Sequence, residues 1–156
     1  MNPVEERLAG HRSFKDLAPP MIAALAAQGT FRQERAGRFV VHEGDPAGLI
    51  VIVRGKLRVQ TQGAGHPGSV LETMVPGEIF GSTWLVPPFR WTFDVVAVDD
   101  AELIVFDGEA LRQIIDQDLA LGNMLLKRLV RALTERLRSA RMQLTDVYRQ
   151  PGTTPN

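Results

Sequence analysis

The sequence predicts a mainly β domain with helices at both ends, and three observations support this fold class. Residues 30–106 hold short runs rich in β-branched side chains, separated by glycine-containing turns. Such spacing is typical of an all-β sandwich or roll. Residues 1–29 and 107–148 instead carry apolar side chains at helical spacing. The chain has 156 residues, a length that suits one domain, so residues 1–156 are predicted to form a single unit.

The N-terminal part, residues 1–29, is predicted to be helical. Pro19 and Pro20 suit the first turn of a helix, where a backbone N–H is not needed. The apolar residues that follow recur at helical spacing. Gly29 is expected to end this helix.

The central part, residues 30–106, is predicted to form the strands of a β-roll. Residues 80–90 break the strand pattern, and we expect a short helical turn at 82–85 followed by a loop at Pro87-Pro88. Strands are predicted at residues 39–41, 49–53, 57–59, 70–74, 93–98 and 102–106. Turns are predicted at residues 36–37, 43–46, 54–56, 63–68 and 76–78.

The C-terminal part, residues 107–148, is predicted to be helical again. Asp107 can cap a helix that runs through Ile115, because its carboxylate can accept from a free N–H of the first turn. Residues 116–118 form a joint, and a long helix follows over residues 119–148. Residues 149–156 are predicted to be a polar tail.

The long helix carries a heptad pattern that predicts a dimer. A narrow apolar stripe on a helix of this length needs a partner helix, and a second copy of the chain is the simplest one. The alternative is that the stripe packs on the β-roll; we expect the first half of the helix on the roll and the seam on the second copy. The predicted seam consists of Leu126, Val130, Leu133, Leu137, Ala140 and Leu144. The solvent side is predicted to carry Lys127, Arg128, Arg131, Glu135, Arg136, Arg138 and Arg141.

Composition argues against several classes of function. Lys and Arg together number 18, as do Asp and Glu, so no basic excess points to a mainly electrostatic nucleic-acid binder. The absence of cysteine excludes disulfides and thiolate chemistry, and the three histidines lie far apart, so no metal site is predicted. No apolar run is long enough for a membrane span and no secretory signal is recognised, so a cytoplasmic location is expected. No enzyme is predicted, because no acid–base pair or nucleophile converges.

The order of these elements resembles the cyclic nucleotide-binding domain family, which includes the sensor half of the CRP/FNR bacterial regulators. Val-Val-His-Glu-Gly-Asp at 40–45 looks like the family's entry hairpin, and residues 50–59 look like its next strand, turn and strand. Pro-Gly-Glu-Ile-Phe-Gly at 76–81 looks like the lead-in to its phosphate-binding cassette, near 77–93 here. Pro-Pro-Phe-Arg-Trp-Thr-Phe at 87–93 is similar to a tryptophan-rich cassette of short, stand-alone bacterial members.

The resemblance implies an anion pocket in the cassette. Gly81 stands at the family's cassette glycine, and Ser82 stands where the family has a glutamate that accepts from a ribose hydroxyl. Serine cannot replace that anionic acceptor. Arg90 is the cassette arginine, but counting back from the next strand offsets it by one residue and puts Trp91 in its slot. The ligand-binding residues implied are Gly81, Ser82, Thr83, Arg90, Trp91 and Thr92.

Two interpretations of the pocket stay open. In the first, it binds cAMP, cGMP or another nucleotide-like molecule, with Trp84 or Trp91 stacked on the base. In the second, the tryptophans fill the pocket, Arg90 pairs with Asp94 or a surface acid, and nothing binds.

The function expected is a regulatory small-molecule sensor that signals through a dimeric C-terminal helix to a downstream protein that the sequence does not name. The alternative is a ligand-free dimeric interaction module. No resident cofactor is expected. Direct DNA binding is not expected either, because too few residues follow position 148 for the helix-turn-helix domain of CRP-type regulators.

Overall fold

Two four-stranded antiparallel sheets form the centre of the computed structural model, which describes residues 2–62 and 68–148. The first sheet has the order β1-β8-β3-β6 and the second the order β2-β7-β4-β5. The two sheets face each other as a β-roll. The strands are β1 (Gly29–Glu34), β2 (Phe39–Val41), β3 (Gly48–Arg54), β4 (Leu57–Gln60), β5 (Val70–Met74), β6 (Ile79–Phe80), β7 (Asp94–Ala97) and β8 (Ala101–Asp107).

The predicted strands are confirmed, and the structure adds two that the sequence pattern did not indicate, β1 and β6. Strand β1 starts at Gly29, which was expected only to end a helix, and pairs along its whole length with β8. A Cβ atom at Gly29 would lie 2.9 Å from the Ile104 side chain, so glycine permits this close pairing. The predicted turn at 63–68 and the predicted tail at 149–156 lie wholly or almost wholly outside the described residues.

Strand β3 separates two hydrophobic cores. Leu49 and Val51 face the helices, whereas Ile50 and Ile52 face the roll interior, and all four are fully buried. A strand buried on both faces carries a continuous apolar run, as β3 does. The first sheet is therefore covered by the second sheet on one side and by the helices on the other.

The helices pack on the outer side of the first sheet. They are α1 (Pro3–Gly10), α2 (Pro19–Ala26), α3 (Gly108–Gln117) and α4 (Leu119–Tyr148). The predicted cap at Asp107 is confirmed, since its carboxylate accepts from the Ala110 N–H at 3.1 Å. Asp118, in the predicted joint, accepts from the Leu121 N–H at 3.1 Å and starts α4. Within the described ranges, none of these helices is long and apolar enough to cross a membrane.

Helix α4 carries two apolar stripes. Leu121, Leu125 and Leu129 are buried against the domain, so the expectation that the first half of the helix packs there is confirmed. The predicted seam lies about 100° around the helix from this stripe, at about 100° per residue. Within the seam, the leucines and Val130 are between 37% and 61% exposed. That a second copy covers them stays a prediction.

Two arginines expected on the solvent side of α4 face the domain instead, so that expectation was wrong for them. Arg128 donates to the Ser13 carbonyl at 3.0 Å and to the Asp16 carboxylate at 2.7 Å. Arg136 donates to the Ile79 carbonyl at 2.8 Å. The reason is helical spacing, because Arg136 continues the domain-facing stripe one turn beyond Ala132.

Candidate functional site

The segment between β6 and β7 begins with a tight approach of two backbones at Gly81. This residue has φ +126°, a conformation that side chains rarely adopt, and a Cβ atom there would collide with the carbonyl oxygen of Gly48. A single 3-10 turn follows at Thr83–Leu85, as predicted from the sequence. The segment then runs through Pro87 and Pro88 to β7. Glycine at position 81 therefore fixes the segment against strand β3.

Trp84 lies on the helix side of the first sheet and not in the roll. Its side chain is fully buried in the core formed with the helices, and its indole N–H donates to the Gly81 carbonyl at 3.0 Å. The backbone carbonyl of Trp84 accepts from Arg112 of α3 at 2.9 Å. Trp84 therefore anchors the 3-10 turn to the helices, and it neither faces the roll interior nor fills it.

Trp91 occupies the roll interior. Only 4% of the residue is exposed, and its ring stacks on Phe80 with 5.6 Å between centroids and 23° between planes. The backbone of Trp91 is clamped to the turn before β3, since its N–H donates to the Asp45 carbonyl and its carbonyl accepts from the Gly44 N–H. The second interpretation of the pocket thus describes Trp91 in this conformation, but not Trp84.

Arg90 and Thr92 point to solvent, on either side of Trp91. Side chains alternate in extended backbone, so a buried residue 91 leaves its two neighbours exposed. The guanidinium of Arg90 donates to the Gly44 carbonyl at 3.3 Å. The second interpretation paired Arg90 with Asp94 or a surface acid; among the described residues Arg90 forms no ion pair, and the buried Asp94 carboxylate accepts from the Glu43 N–H at 2.8 Å.

Ser82 and Thr83 lie beside Gly81 at the start of the 3-10 turn. Ser82 is half-buried, and its hydroxyl does not cap the turn. The Thr83 hydroxyl is buried without a hydrogen-bond partner among the described residues. The structure therefore places Gly81 against Trp91, with Ser82 and Thr83 next to Gly81 in the chain, and leaves Arg90 and Thr92 exposed. A ligand role for all six stays a prediction.

Arg136 is a residue of this region that the sequence reasoning missed. Its guanidinium lies over the Phe80 ring, 5.0 Å from the centroid, and donates to the Ile79 carbonyl. Its second terminal nitrogen, Nη2, is buried without a partner among the described residues. The spacing Leu125, Leu129, Ala132, Arg136 is the signal that could have found it.

The charges near Arg136 perturb one another. Burial lowers the pKa of the Arg136 guanidinium, and the carboxylates of Glu72, Glu78 and Glu135 oppose this shift. Burial raises the pKa of the Glu72 carboxyl, Arg136 acts in the opposite direction, and Glu78 adds to the rise. A half-buried cation and a half-buried carboxyl thus lie close together where α4 packs against the roll.

A family model described as "Cyclic nucleotide-binding domain" matches residues 31–118. A CRP-like cAMP-activated global transcriptional regulator of Mycobacterium tuberculosis is 28% identical over 145 residues, which cover 92% of this chain and 63% of the regulator. This chain therefore spans less than two thirds of the length of that curated relative.

Solved structures share the fold. A cyclic nucleotide-binding domain of Methylobacillus flagellatus matches with a TM-score of 0.77 and 21% identity, over 97% of this chain and 85% of that one. A cyclic nucleotide-binding protein of Geobacter metallireducens matches with a TM-score of 0.75 and 24% identity, over 88% and 99%. Thermus thermophilus catabolite activator protein matches with a TM-score of 0.66 and 26% identity, over 87% and 62%.

Proposed function

The chain belongs to the cyclic nucleotide-binding domain family, and from this premise we propose that it is a regulatory sensor of a nucleotide-type ligand. The ligand binds in the roll beside Gly81, Ser82, Thr83 and Trp91, and occupancy changes how α4 is held. The cAMP-activated regulator of M. tuberculosis, similar over 92% of this chain, supports a ligand of this class.

The contact path from the roll interior to α4 is the observation that carries this proposal. Trp91 stacks on Phe80, and the guanidinium of Arg136 lies over the same Phe80 ring. A ligand that moves Trp91 therefore acts on the residue against which α4 is fixed. Such a change needs a ligand that binds the two arrangements with different affinity.

The geometry also predicts weak binding of ordinary cyclic nucleotides. Ser82 offers no anionic acceptor, and charged hydrogen bonds contribute about 1.5–3 kcal/mol each. Arg90 points away from the roll in this conformation. Trp91 has to move aside or become the surface on which a base stacks. We therefore expect at least about tenfold weaker affinity for cAMP than in a member that has the glutamate.

The output of the sensor is proposed to be a homodimer through α4. The exposed leucines of the seam form a continuous apolar stripe on a helix whose other stripe is already buried in the domain. A second copy covers such a stripe symmetrically about a two-fold axis. A shift of α4 on one roll then changes its contact with the partner's α4 and the surface that the dimer presents to the downstream protein.

Calorimetric titration with cAMP, cGMP and cyclic di-GMP tests the proposed ligand class. We expect heat of binding for one of them at high micromolar to millimolar concentration, with a change in tryptophan fluorescence. In a Trp91→Phe variant the fluorescence change should be lost, because Trp84 on the other side of the sheet remains as the unaffected reporter. The absence of heat for all three would contradict the proposal.

The alternative, a ligand-free dimeric module, is favoured by one observation. Trp91 fills space in the roll interior beside Gly81, and no cation of the cassette points at it. On this alternative the seam dimer forms, and its stability does not change with any nucleotide added.

A further inference from the structure

We propose that a cleft on the outside of the roll is a second binding site, for a phosphate ester that also carries hydroxyl groups. The cleft has a volume of about 440 Å³ and lies between α4, the turn before β6 and the segment that joins α1 to α2. This volume falls within the usual range for small-molecule sites. Neither Gly81 nor Trp91 lines it, so it is distinct from the roll interior.

The cleft carries unpaired positive charge. Four arginines line the cleft, and one of them, Arg128, is paired with Asp16. Arg12, Arg131 and Arg136 form no ion pair among the described residues. Arginine presents a planar fork of donors that matches the oxygens of a phosphate.

One arginine of the cleft has an unsatisfied hydrogen-bond donor. One terminal nitrogen of Arg136, Nη1, donates to the Ile79 carbonyl, and the other, Nη2, is buried without an acceptor among the described residues. Buried polar groups in folded proteins nearly always have a partner. Nη1 is held by Ile79 and the guanidinium lies over Phe80, so an anion in the cleft would pair with Nη2 after a small movement of the Arg136 side chain.

Two carboxylates narrow the class of ligand. Glu78 and Glu135 also line the cleft, so its three unpaired arginines exceed its acids by one charge. Inorganic phosphate carries only one or two P–OH donors near neutral pH and is too small to reach the arginines and both carboxylates at once. A phosphate ester of a polyol, such as a sugar phosphate or a nucleotide, offers oxygens to the arginines and hydroxyls to the glutamates.

Occupancy of the cleft would fix α4 on the roll. One wall is α4, which supplies Arg131 and Arg136, and the opposite wall is the turn at Gly77. Gly77 has φ +93°, and a Cβ atom there would lie 3.2 Å from Nε of Arg12, so glycine lets Arg12 lie over the turn. A ligand held by arginines from both walls therefore stabilises the contact between them.

Calorimetry on the full chain at low salt tests this site with ribose 5-phosphate, AMP and inorganic phosphate. We expect ribose 5-phosphate or AMP to bind more tightly than inorganic phosphate. Whichever ester binds more tightly shows whether the site prefers a sugar phosphate or a nucleotide. Arg131→Gln should weaken binding at least about tenfold, the loss expected for one charged hydrogen bond. Arg138→Gln, an exposed position on the same helix outside the cleft, is the matched control and should leave binding unchanged.

Equal affinity in the Arg131→Gln and Arg138→Gln variants, or no binding of either ester, would overturn the second site. Arg12→Gln, another exposed position, provides an independent check that leaves the half-buried Arg136 in place. Titration of the same variants with cAMP separates this inference from the proposed function. Loss of ester binding with an intact cyclic nucleotide response supports two sites. If the wild type binds cAMP but neither ester, the second site is refuted and the proposed function is not.

Discussion

Trp91, and not Arg90, faces the roll interior, so an offset of one residue replaces a cation there with an aromatic ring. Arginine at 90 and threonine at 92 are exposed because tryptophan at 91 is inside. The offset of the cassette arginine was visible from the sequence, by counting back from β7. The placement of the two tryptophans on opposite sides of the sheet was not, because both follow from tertiary packing around Gly81.

Gly81→Ala is predicted to destabilise the fold more than Gly37→Ala. Both glycines have positive φ, so both substitutions carry about 1–2 kcal/mol of backbone strain. Only at Gly81 would the new Cβ also collide with a backbone carbonyl, whereas at Gly37 it would meet nothing within 4 Å. We expect a further loss of about 1–3 kcal/mol at Gly81. Urea unfolding of the two variants measures the difference, and equal losses would contradict the packing described at Gly48.

Stability is predicted to fall as the pH drops below the ordinary His11 value of 6.5. Burial lowers the pKa of the His11 imidazole, Arg12 adds to this, and the Ile52 carbonyl opposes it. Below pH 6.5 the imidazole is therefore protonated in the unfolded chain before it is protonated in the folded chain. The free energy of unfolding is highest above pH 6.5 and falls as the pH drops to the lowered pKa of the folded state.

Urea midpoints at about pH 7.5 and about pH 5.5 test this dependence. His11→Gln should lose less stability between the two values than the wild type. His42→Gln, at an exposed histidine, is the control and should keep the wild-type dependence. An unchanged dependence in His11→Gln would refute the assignment.

At the scale of elements, local pattern predicted the strands that alternate or are wholly apolar. Strand β1 was missed because its sequence, Gly-Thr-Phe-Arg-Gln-Glu, contains no fully buried residue. Its strand geometry comes from pairing with the distant β8. Strand β6 was missed because it has only two residues.

Helix α4 shows a similar limit. The seam and the buried stripe follow from spacing, but arginine at 136 looks like a solvent position in the sequence. Its side chain is half-buried because the guanidinium donates to the carbonyl of Ile79 and lies over the ring of Phe80, and these contacts depend on where the roll lies.

The α4 seam predicts a dimer that two acidic substitutions should dissociate. Leu133→Asp with Leu137→Asp places carboxylates on a stripe that is exposed in the single chain, so the domain itself should remain folded. Light scattering should give the mass of one chain for this variant and of two for the wild type. Lys127→Asp with Arg138→Asp, on a different face of α4, is the matched control and should stay dimeric. The same mass for the wild type and the seam variant would contradict the assignment of the seam as a dimer interface.

At the scale of the whole molecule, Arg136 connects the long helix with the roll and the outer cleft. It belongs to the long helix, contacts the aromatic ring beside Trp91 and lines the outer cleft. The aromatic pair of the roll interior and the outer cleft therefore meet at one side chain of α4. On the proposed function, ligand binding would change how firmly α4 lies on the roll.

Amide hydrogen exchange with and without cyclic nucleotide tests this central claim most directly. With cAMP at saturating concentration, we predict that exchange changes together at residues 79–81 and along residues 129–139 of α4. The same experiment on Trp91→Phe should give a smaller change in α4. Unchanged exchange in α4, with or without a change at 79–81, would contradict the account.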